Sequence, residues 1–183
     1  MAEARFDRAQ LEAFIRTAAD RLHGRWLLVG GAAAALWLTP RRTTEDVDLV
    51  GLDDPSQRMQ LLELADAAGL PVEAVNSAAD FFVRAVPGWD RDLVVLATGP
   101  RATIFRPSAT LFLLLKVRRL SEVDLADCLA ALDHSRATGE PLDADQLAAA
   151  IAALPVTTDA ALANRRNRLA HALGQLWHEE GER

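Results

Sequence analysis

Two aspartates separated by one residue are the clearest sign of chemistry in this sequence. Acidic and apolar residues alternate over Asp46–Val50, which is the pattern of a strand with one buried face. The alternation predicts that the Asp46 and Asp48 carboxylates point the same way while Val47 and Leu49 enter the core. Neighbouring carboxylates repel each other unless a cation joins them, and Mg²⁺ or Mn²⁺ is the natural occupant. An isolated pair of this kind is more often a solvated strand face, so a second feature is needed.

The second feature is a glycine pair between a predicted strand and a predicted helix. Trp26–Val29 is apolar, Gly30-Gly31 follows, and the alanine-rich segment Ala32–Leu38 is typical of a helix. Glycine lets the backbone approach a phosphate closely, and a helix N-terminus offers N–H groups and partial positive charge. The turn lacks the third glycine of a dinucleotide fingerprint and the Gly-Lys-Ser/Thr of a P-loop.

The combination is rarer than either feature. The segment Leu27–Val50 resembles the nucleotidyltransferase superfamily, and looks closest to the AbiEii-like minimal nucleotidyltransferases of bacterial toxin–antitoxin and abortive-infection systems. Those proteins have a Gly-Gly or Gly-Ser turn followed by an Arg-x-Thr-x-Asp-x-Asp block. Arg42, Thr44, Asp46 and Asp48 match that block here.

A second block of the same family is matched around Lys116, the single lysine in a chain with 19 arginines. In the AbiEii-like proteins a helix of this kind carries a lysine, followed by an arginine and an Asp-x-x-Asp pair, here Arg119, Asp124 and Asp127. The resemblance implies that Lys116 contacts the nucleotide or its phosphates. Alternatively, the arginine and the two aspartates are polar neighbours on a helix surface or tie two helices together.

The superfamily also has a third carboxylate, on the strand after the next helix. Glu73, in a strand predicted over Val72–Val75, occupies that place in this sequence, with Asp80 and Asp92 as rival candidates. Glu73 is expected to act as metal ligand or general base. If none of the three acids joins the metal, the enzyme is weak or inactive.

The resemblance implies a two-metal in-line displacement, in which metals held by Asp46 and Asp48 bridge the triphosphate of an NTP. Backbone N–H groups at Gly30 and Gly31 would hold the phosphates, and Lys116 would neutralise their developing charge. Arg42 would position a phosphate or tether its loop, and Thr44 would orient its neighbours.

The leading functional expectation is an enzyme that transfers NMP from NTP to an RNA acceptor, with tRNA expected as in the toxin relatives. An antitoxin-like enzyme that adds AMP to a partner protein is one alternative, and a catalytically inactive binding module is another. Phosphate attraction to local arginines would support RNA binding. The arginines considered are Arg41, Arg42, Arg118, Arg119, Arg165, Arg166 and Arg168.

Periodicity predicts an α/β fold, with a nucleotidyltransferase-like mixed sheet core flanked by helices over residues 1–106 and a C-terminal helical part packed on it over residues 107–183. Helices are expected at 8–22, 32–38 and 54–68 and in four segments from 107 to 179, with strands at 26–29, 46–50, 72–75, 81–86 and 93–97.

Composition limits the function classes. A net charge of −6 argues against a protein that coats nucleic acid generally. The single cysteine, Cys128, excludes an intrachain disulfide and favours a reducing cytoplasm. The longest apolar run, 26–38, is too short for a comfortable membrane span, so no membrane partner is expected.

Overall fold

The computed structural model describes residues 5–39 and 41–181 and has a mixed α/β architecture. The chain divides into two compact units, Met1–Pro107 and Ser108–Arg183. The first unit contains all five strands of the described residues and four helices. The second contains four helices.

The first unit is built on one five-stranded mixed sheet with the strand order β3-β2-β1-β5-β4. β1 is antiparallel to β2 and parallel to β5, β2 is parallel to β3, and β4 is antiparallel to β5. The strands are β1 (Gly24–Val29), β2 (Val47–Gly51), β3 (Val75–Asn76), β4 (Leu93–Thr98) and β5 (Ala102–Pro107).

The central position of β1 explains its continuous apolar sequence. Trp26, Leu27 and Leu28 are fully buried, as expected for a strand covered on both faces. The elements predicted at 8–22, 26–29 and 32–38 are present. Helix α1 begins at Arg8, and Asp7 caps it in a capping box with Gln10. The helices of this unit are α1 (Arg8–Arg21), α2 (Gly30–Trp37), α3 (Met59–Ala67) and α4 (Asp80–Arg84).

Three sequence predictions are corrected. The helix expected over 54–68 begins as a 3-10 turn, Pro55–Arg58, before α3. The strand expected over Val72–Val75 is a 3-10 turn, Val72–Ala74, followed by the two-residue strand β3. Pro71 begins this turn with φ −55°, and its carbonyl accepts the Ala74 N–H at 2.9 Å, so the backbone curls before it can pair with β2.

The third correction concerns 81–86, which was expected to be a strand and forms helix α4 instead. Asp80 and Arg84 form an i,i+4 ion pair at 2.8 Å, which only a helical backbone allows. Phe81 and Phe82 consequently lie exposed on this short helix. Strand β5, which the sequence patterns did not predict, pairs with β1 and completes the sheet.

The second unit is helical, with apolar faces packed between α5 and α6, α5 and α7, and α6 and α8. Leu169, Leu173 and Leu176 form one buried stripe of α8. The helices are α5 (Ala109–Lys116), α6 (Glu122–Thr138), α7 (Ala144–Ala152) and α8 (Ala160–Gly181). None of the helices in the described part of the chain is long and apolar enough to cross a membrane.

Candidate functional site

The turn from β1 into α2 lies directly against the second aspartate of the Asp-x-Asp pair. Gly30 has φ +68°, and a Cβ built there would lie 2.8 Å from Asp48 Oδ2. Val29 is the cross-strand partner of Asp48 in the β1–β2 register, which explains the proximity. A side chain at position 30 would therefore be strained by its backbone and would displace the Asp48 carboxylate.

The next glycine faces the loop that carries Arg42 and Thr44. A Cβ at Gly31 would lie 2.7 Å from Thr44 Oγ1 and 3.2 Å from Arg42 Nη2. The α2 N-terminus places a valine, Val29, at the N-cap position, and a valine side chain cannot accept the first N–H groups of the helix. This helix N-terminus and the Arg42 guanidinium thus lie together beside an acidic pair.

Thr44 is the organising residue of the loop. It is buried, and its N–H and carbonyl pair with Phe6 at 3.1 and 2.8 Å in an isolated antiparallel bridge. Its hydroxyl lies 3.1 Å from the Asp46 carbonyl oxygen and 3.2 Å from Asp46 Oδ1, so its one O–H donor is shared between two acceptors of Asp46. The orienting role expected for Thr44 therefore has a contact that fits it.

The two aspartates occupy the start of β2. Asp46 is exposed and immediately precedes the strand, and Asp48 is half-buried within it. Val47 and Leu49 are fully buried, which confirms the predicted alternation. Six residues thus form one group on the first unit, here named the Gly-Asp site. They are Gly30, Gly31, Arg42, Thr44, Asp46 and Asp48.

None of the three candidate acids is clustered with Asp46 and Asp48 in the part of the chain that the structure describes. Across residues 5–39 and 41–181, no three side chains of the Asp, Glu, His and Cys types lie together as a potential metal site. Glu73 is exposed within the 3-10 turn before β3. Asp80 is paired with Arg84, and Asp92 follows a 3-10 turn that precedes β4. Glu73 as a metal ligand or general base stays a prediction.

The sequence patterns did not indicate Asn76, because the resemblance implies an acid at the third ligand position and asparagine is an amide. The parallel register pairs Val47 with Val75 and Asp48 with Asn76. Val47 and Val75 are both buried, so Asp48 and Asn76, one residue further along each strand, share the opposite face. The Asn76 Oδ1 accepts the Ala78 N–H at 2.9 Å. The strand neighbour of Asp48 is therefore an amide.

Lys116 lies in the second unit, where it connects two helices. Its side chain, at the end of α5, is only 8% exposed, and Nζ lies 2.7 Å from Asp124 Oδ1 and 2.9 Å from Asp127 Oδ2 on α6. Arg119 makes a two-pronged contact with Asp124 at 2.7 and 2.8 Å. Burial alone would raise the pKa of Asp124, but hydrogen bonds from Arg119 and Lys116 outweigh it and hold that pKa well below its usual range. Of the two interpretations of the aspartates, the tie between helices matches these contacts.

Several of the arginines considered for RNA binding contact the protein itself. Arg165 donates to the Leu120 carbonyl at 2.6 Å, and Arg166 donates to the Pro155 carbonyl at 2.7 Å. Arg168 lies 3.8 Å from the Glu122 carboxylate. Arg41 and Arg118 are exposed. Arg165 and Arg166 therefore connect α8 to other segments of the helical unit, whereas the exposed pair of Arg168 contributes little.

Comparisons of the chain with protein-family models, with curated proteins and with solved structures found no match.

Proposed function

We propose that the first unit is a metal-dependent nucleotidyltransferase that moves NMP from an NTP to an acceptor hydroxyl and releases pyrophosphate. The observation that carries this proposal is the contact of Gly30 with Asp48, where a Cβ would lie 2.8 Å from the carboxylate. The turn is suited to bind phosphate and the carboxylate is suited to bind a cation. A nucleoside triphosphate with its bound divalent cation would contact both.

The donor chemistry fits a hard divalent cation. Asp46 and Asp48 offer carboxylate oxygens at the start of one strand, and Mg²⁺ in phosphate sites is commonly held by one or two carboxylates together with substrate phosphates. When bound, the cation supplies charge neutralisation at the phosphates. The Thr44 hydroxyl contacts both the backbone carbonyl and the carboxylate of Asp46, which restrains the position of that residue.

The remaining residues of the Gly-Asp site act on the phosphates. The first N–H groups of α2 attract the anionic end of the nucleotide. The guanidinium of Arg42, beside Gly31, offers paired donors to a phosphate. Lys116, held by Asp124 and Asp127, is assigned to the connection between α5 and α6. In this proposal the acceptor hydroxyl is on RNA, with the exposed Arg41 as a contact.

The test is incubation of the full chain with Mg²⁺ and each α-labelled NTP, with bacterial RNA and, separately, with cell protein. Label is expected on RNA. It should fall by about 100-fold or more in Asp46→Asn/Asp48→Asn, because metal assistance contributes several kcal/mol. Asp66→Asn, an exposed aspartate on α3, is the matched control and should label normally. Equal labelling by the double variant would refute the metal assignment, and label on protein would replace the RNA acceptor.

A comparison of substitutions at Gly30 and Gly69 tests the phosphate-binding role of the β1–α2 turn independently. Gly30 and Gly69 have nearly the same positive φ, +68° and +66°, but a Cβ at Gly69 meets nothing within 4 Å. Gly30→Ala and Gly69→Ala therefore both place a side chain at a positive φ, which costs stability. Only Gly30→Ala also disturbs Asp48. Calorimetric binding of Mg²⁺–NTP should weaken at least about tenfold in Gly30→Ala alone. Equal weakening in both variants would exclude a specific role for Gly30.

A second candidate function is nucleotide binding without transfer. The observation that favours it is that no third acid accompanies Asp46 and Asp48 within the described chain. Tight Mg²⁺-dependent NTP binding with no label on RNA or protein would establish this function in place of transfer.

A further inference from the structure

The strand neighbour of Asp48 has a consequence for how the Gly-Asp site holds a cation. β2 and β3 are parallel, and Asp48 is in register with Asn76. Neighbouring strands lie about 4.8 Å apart, and the burial of Val47 and Val75 places Asp48 and Asn76 together on the other face. Asn76 is thus the residue of β3 that lies beside Asp48 on this face of the sheet.

Glu73 does not share this placement. It precedes β3 by two residues, and the intervening chain forms a 3-10 turn in place of a strand, so Glu73 has no partner in the β2–β3 register. Its side chain is exposed.

We propose that Asn76 occupies the third ligand position of the site, and that its neutral amide limits the affinity for a divalent cation in the absence of nucleotide. This inference rests on the proposed function. An amide oxygen is a ligand for hard cations, but it adds no negative charge. The Oδ1 atom can accept the Ala78 N–H and still face a cation, because a carbonyl oxygen has two lone pairs.

Charge counting gives the direction of the effect. Asp46, Asp48 and Asn76 carry two negative charges, whereas three carboxylates would carry three. A third charge strengthens cation binding, so the phosphates of the NTP must supply the missing charge in this protein. Cation binding by the native chain should accordingly depend on nucleotide.

The experiment is a titration of the full chain with Mn²⁺. Binding is measured as the loss of the electron paramagnetic resonance signal of free Mn²⁺, so the measurement does not depend on catalytic turnover. Asn76→Asp should bind Mn²⁺ at least about tenfold more tightly than the native chain without nucleotide. The aspartate keeps the acceptor for the Ala78 N–H, so the turn is preserved. Asn167→Asp, at an exposed position of α8, adds the same charge elsewhere and should leave Mn²⁺ binding unchanged.

Thermal unfolding supplies a second readout. Asp48 and an aspartate at position 76 would repel each other without a cation, so Mn²⁺ should raise the midpoint of Asn76→Asp more than that of the native chain. Equal shifts in the two proteins would count against the proposal.

Two further variants separate the possible failures. Glu73→Gln should bind Mn²⁺ with the affinity of the native chain. A tenfold lower Mn²⁺ affinity in Glu73→Gln, with no increase in Asn76→Asp, would make Glu73 the third ligand and overturn the proposal. If Asp48→Asn abolishes Mn²⁺–NTP binding but Asn76→Asp changes nothing, the inference fails and the proposed function stands. If Asp48→Asn binds Mn²⁺–NTP normally, both fail.

Discussion

Replacing Lys116 by methionine distinguishes a helix connector from a nucleotide contact. The substitution keeps much of the apolar stem and removes the ammonium that contacts Asp124 and Asp127. Both aspartates are buried, at 0% and 2% exposure. Removing one partner of a buried ion pair costs about 3–5 kcal/mol, because the remaining charge is left uncompensated.

The contacts of Asp124 place the expected loss of stability at the lower end of that range. Asp124 keeps the two-pronged contact with Arg119 and accepts from Ser121 Oγ at 2.8 Å, so the larger part of the cost falls on Asp127. We therefore expect the free energy of unfolding of Lys116→Met to fall by about 3 kcal/mol, the lower end of the range. That is a large fraction of the roughly 5–15 kcal/mol that stabilises a domain.

Urea unfolding followed by circular dichroism measures this loss. Arg8→Gln is the control, because the Arg8 and Glu12 side chains that form its ion pair are 46% and 42% exposed, and an exposed pair contributes about 1 kcal/mol or less. Lys116→Met/Asp127→Leu should recover part of the lost stability, since no charge is then stranded at position 127. A native urea midpoint in Lys116→Met, combined with lost Mg²⁺–NTP binding, would refute the connector role.

Three further predictions concern stability and reactivity. Gly99→Ala should destabilise by about 1–3 kcal/mol, because its Cβ would overlap with the Ala19 carbonyl oxygen. Gly174→Ala, in open space on α8, should stabilise by about 0.4–1 kcal/mol. Equal effects of the two substitutions on the urea midpoint would contradict the close approach at Gly99. The lowered pKa of Asp124 predicts a contribution to stability that is present above the unfolded-state pKa of 3.8 and is lost as pH falls through the lower folded-state pKa. Asp124→Asn should therefore reduce the loss of unfolding free energy at acid pH. An unchanged acid dependence of the unfolding free energy would exclude Asp124 as its source. Burial raises the pKa of the Cys128 thiol to about 12, so a thiol reagent at about pH 8 should modify it only as the protein opens; rapid labelling of the folded chain would contradict this.

Local patterns were sufficient to predict the segment that carries most of the Gly-Asp site. The apolar run of β1, the glycine pair and the alternation around Asp48 each have a physical cause within a few residues. The same reasoning failed at Phe81 and Phe82, where aromatic residues suggested a strand. The Asp80–Arg84 ion pair and the exposure of both rings are properties of the helix that formed there.

Pairing between distant segments could not be predicted in the same way. β5 pairs with β1 across more than 70 residues of chain, and its own sequence contains Arg106 and Pro107, which weaken a strand pattern. Its identity as a strand depends on the partner that it meets, since strand preference reflects packing against neighbours more than local backbone preference.

The third ligand position is decided by such a pairing. Residue type alone favours Glu73 as the third metal ligand, because an acid between apolar residues is typical of a strand that carries such a ligand. Register selects Asn76, because the 3-10 turn uses Val72–Ala74 before pairing with β2 begins at Val75. A displacement of three residues along the chain, from Glu73 to Asn76, thus replaces a charged ligand by a neutral one beside Asp48. The Mn²⁺ affinities of Glu73→Gln and Asn76→Asp therefore test the register of β3 as directly as they test the chemistry of the site.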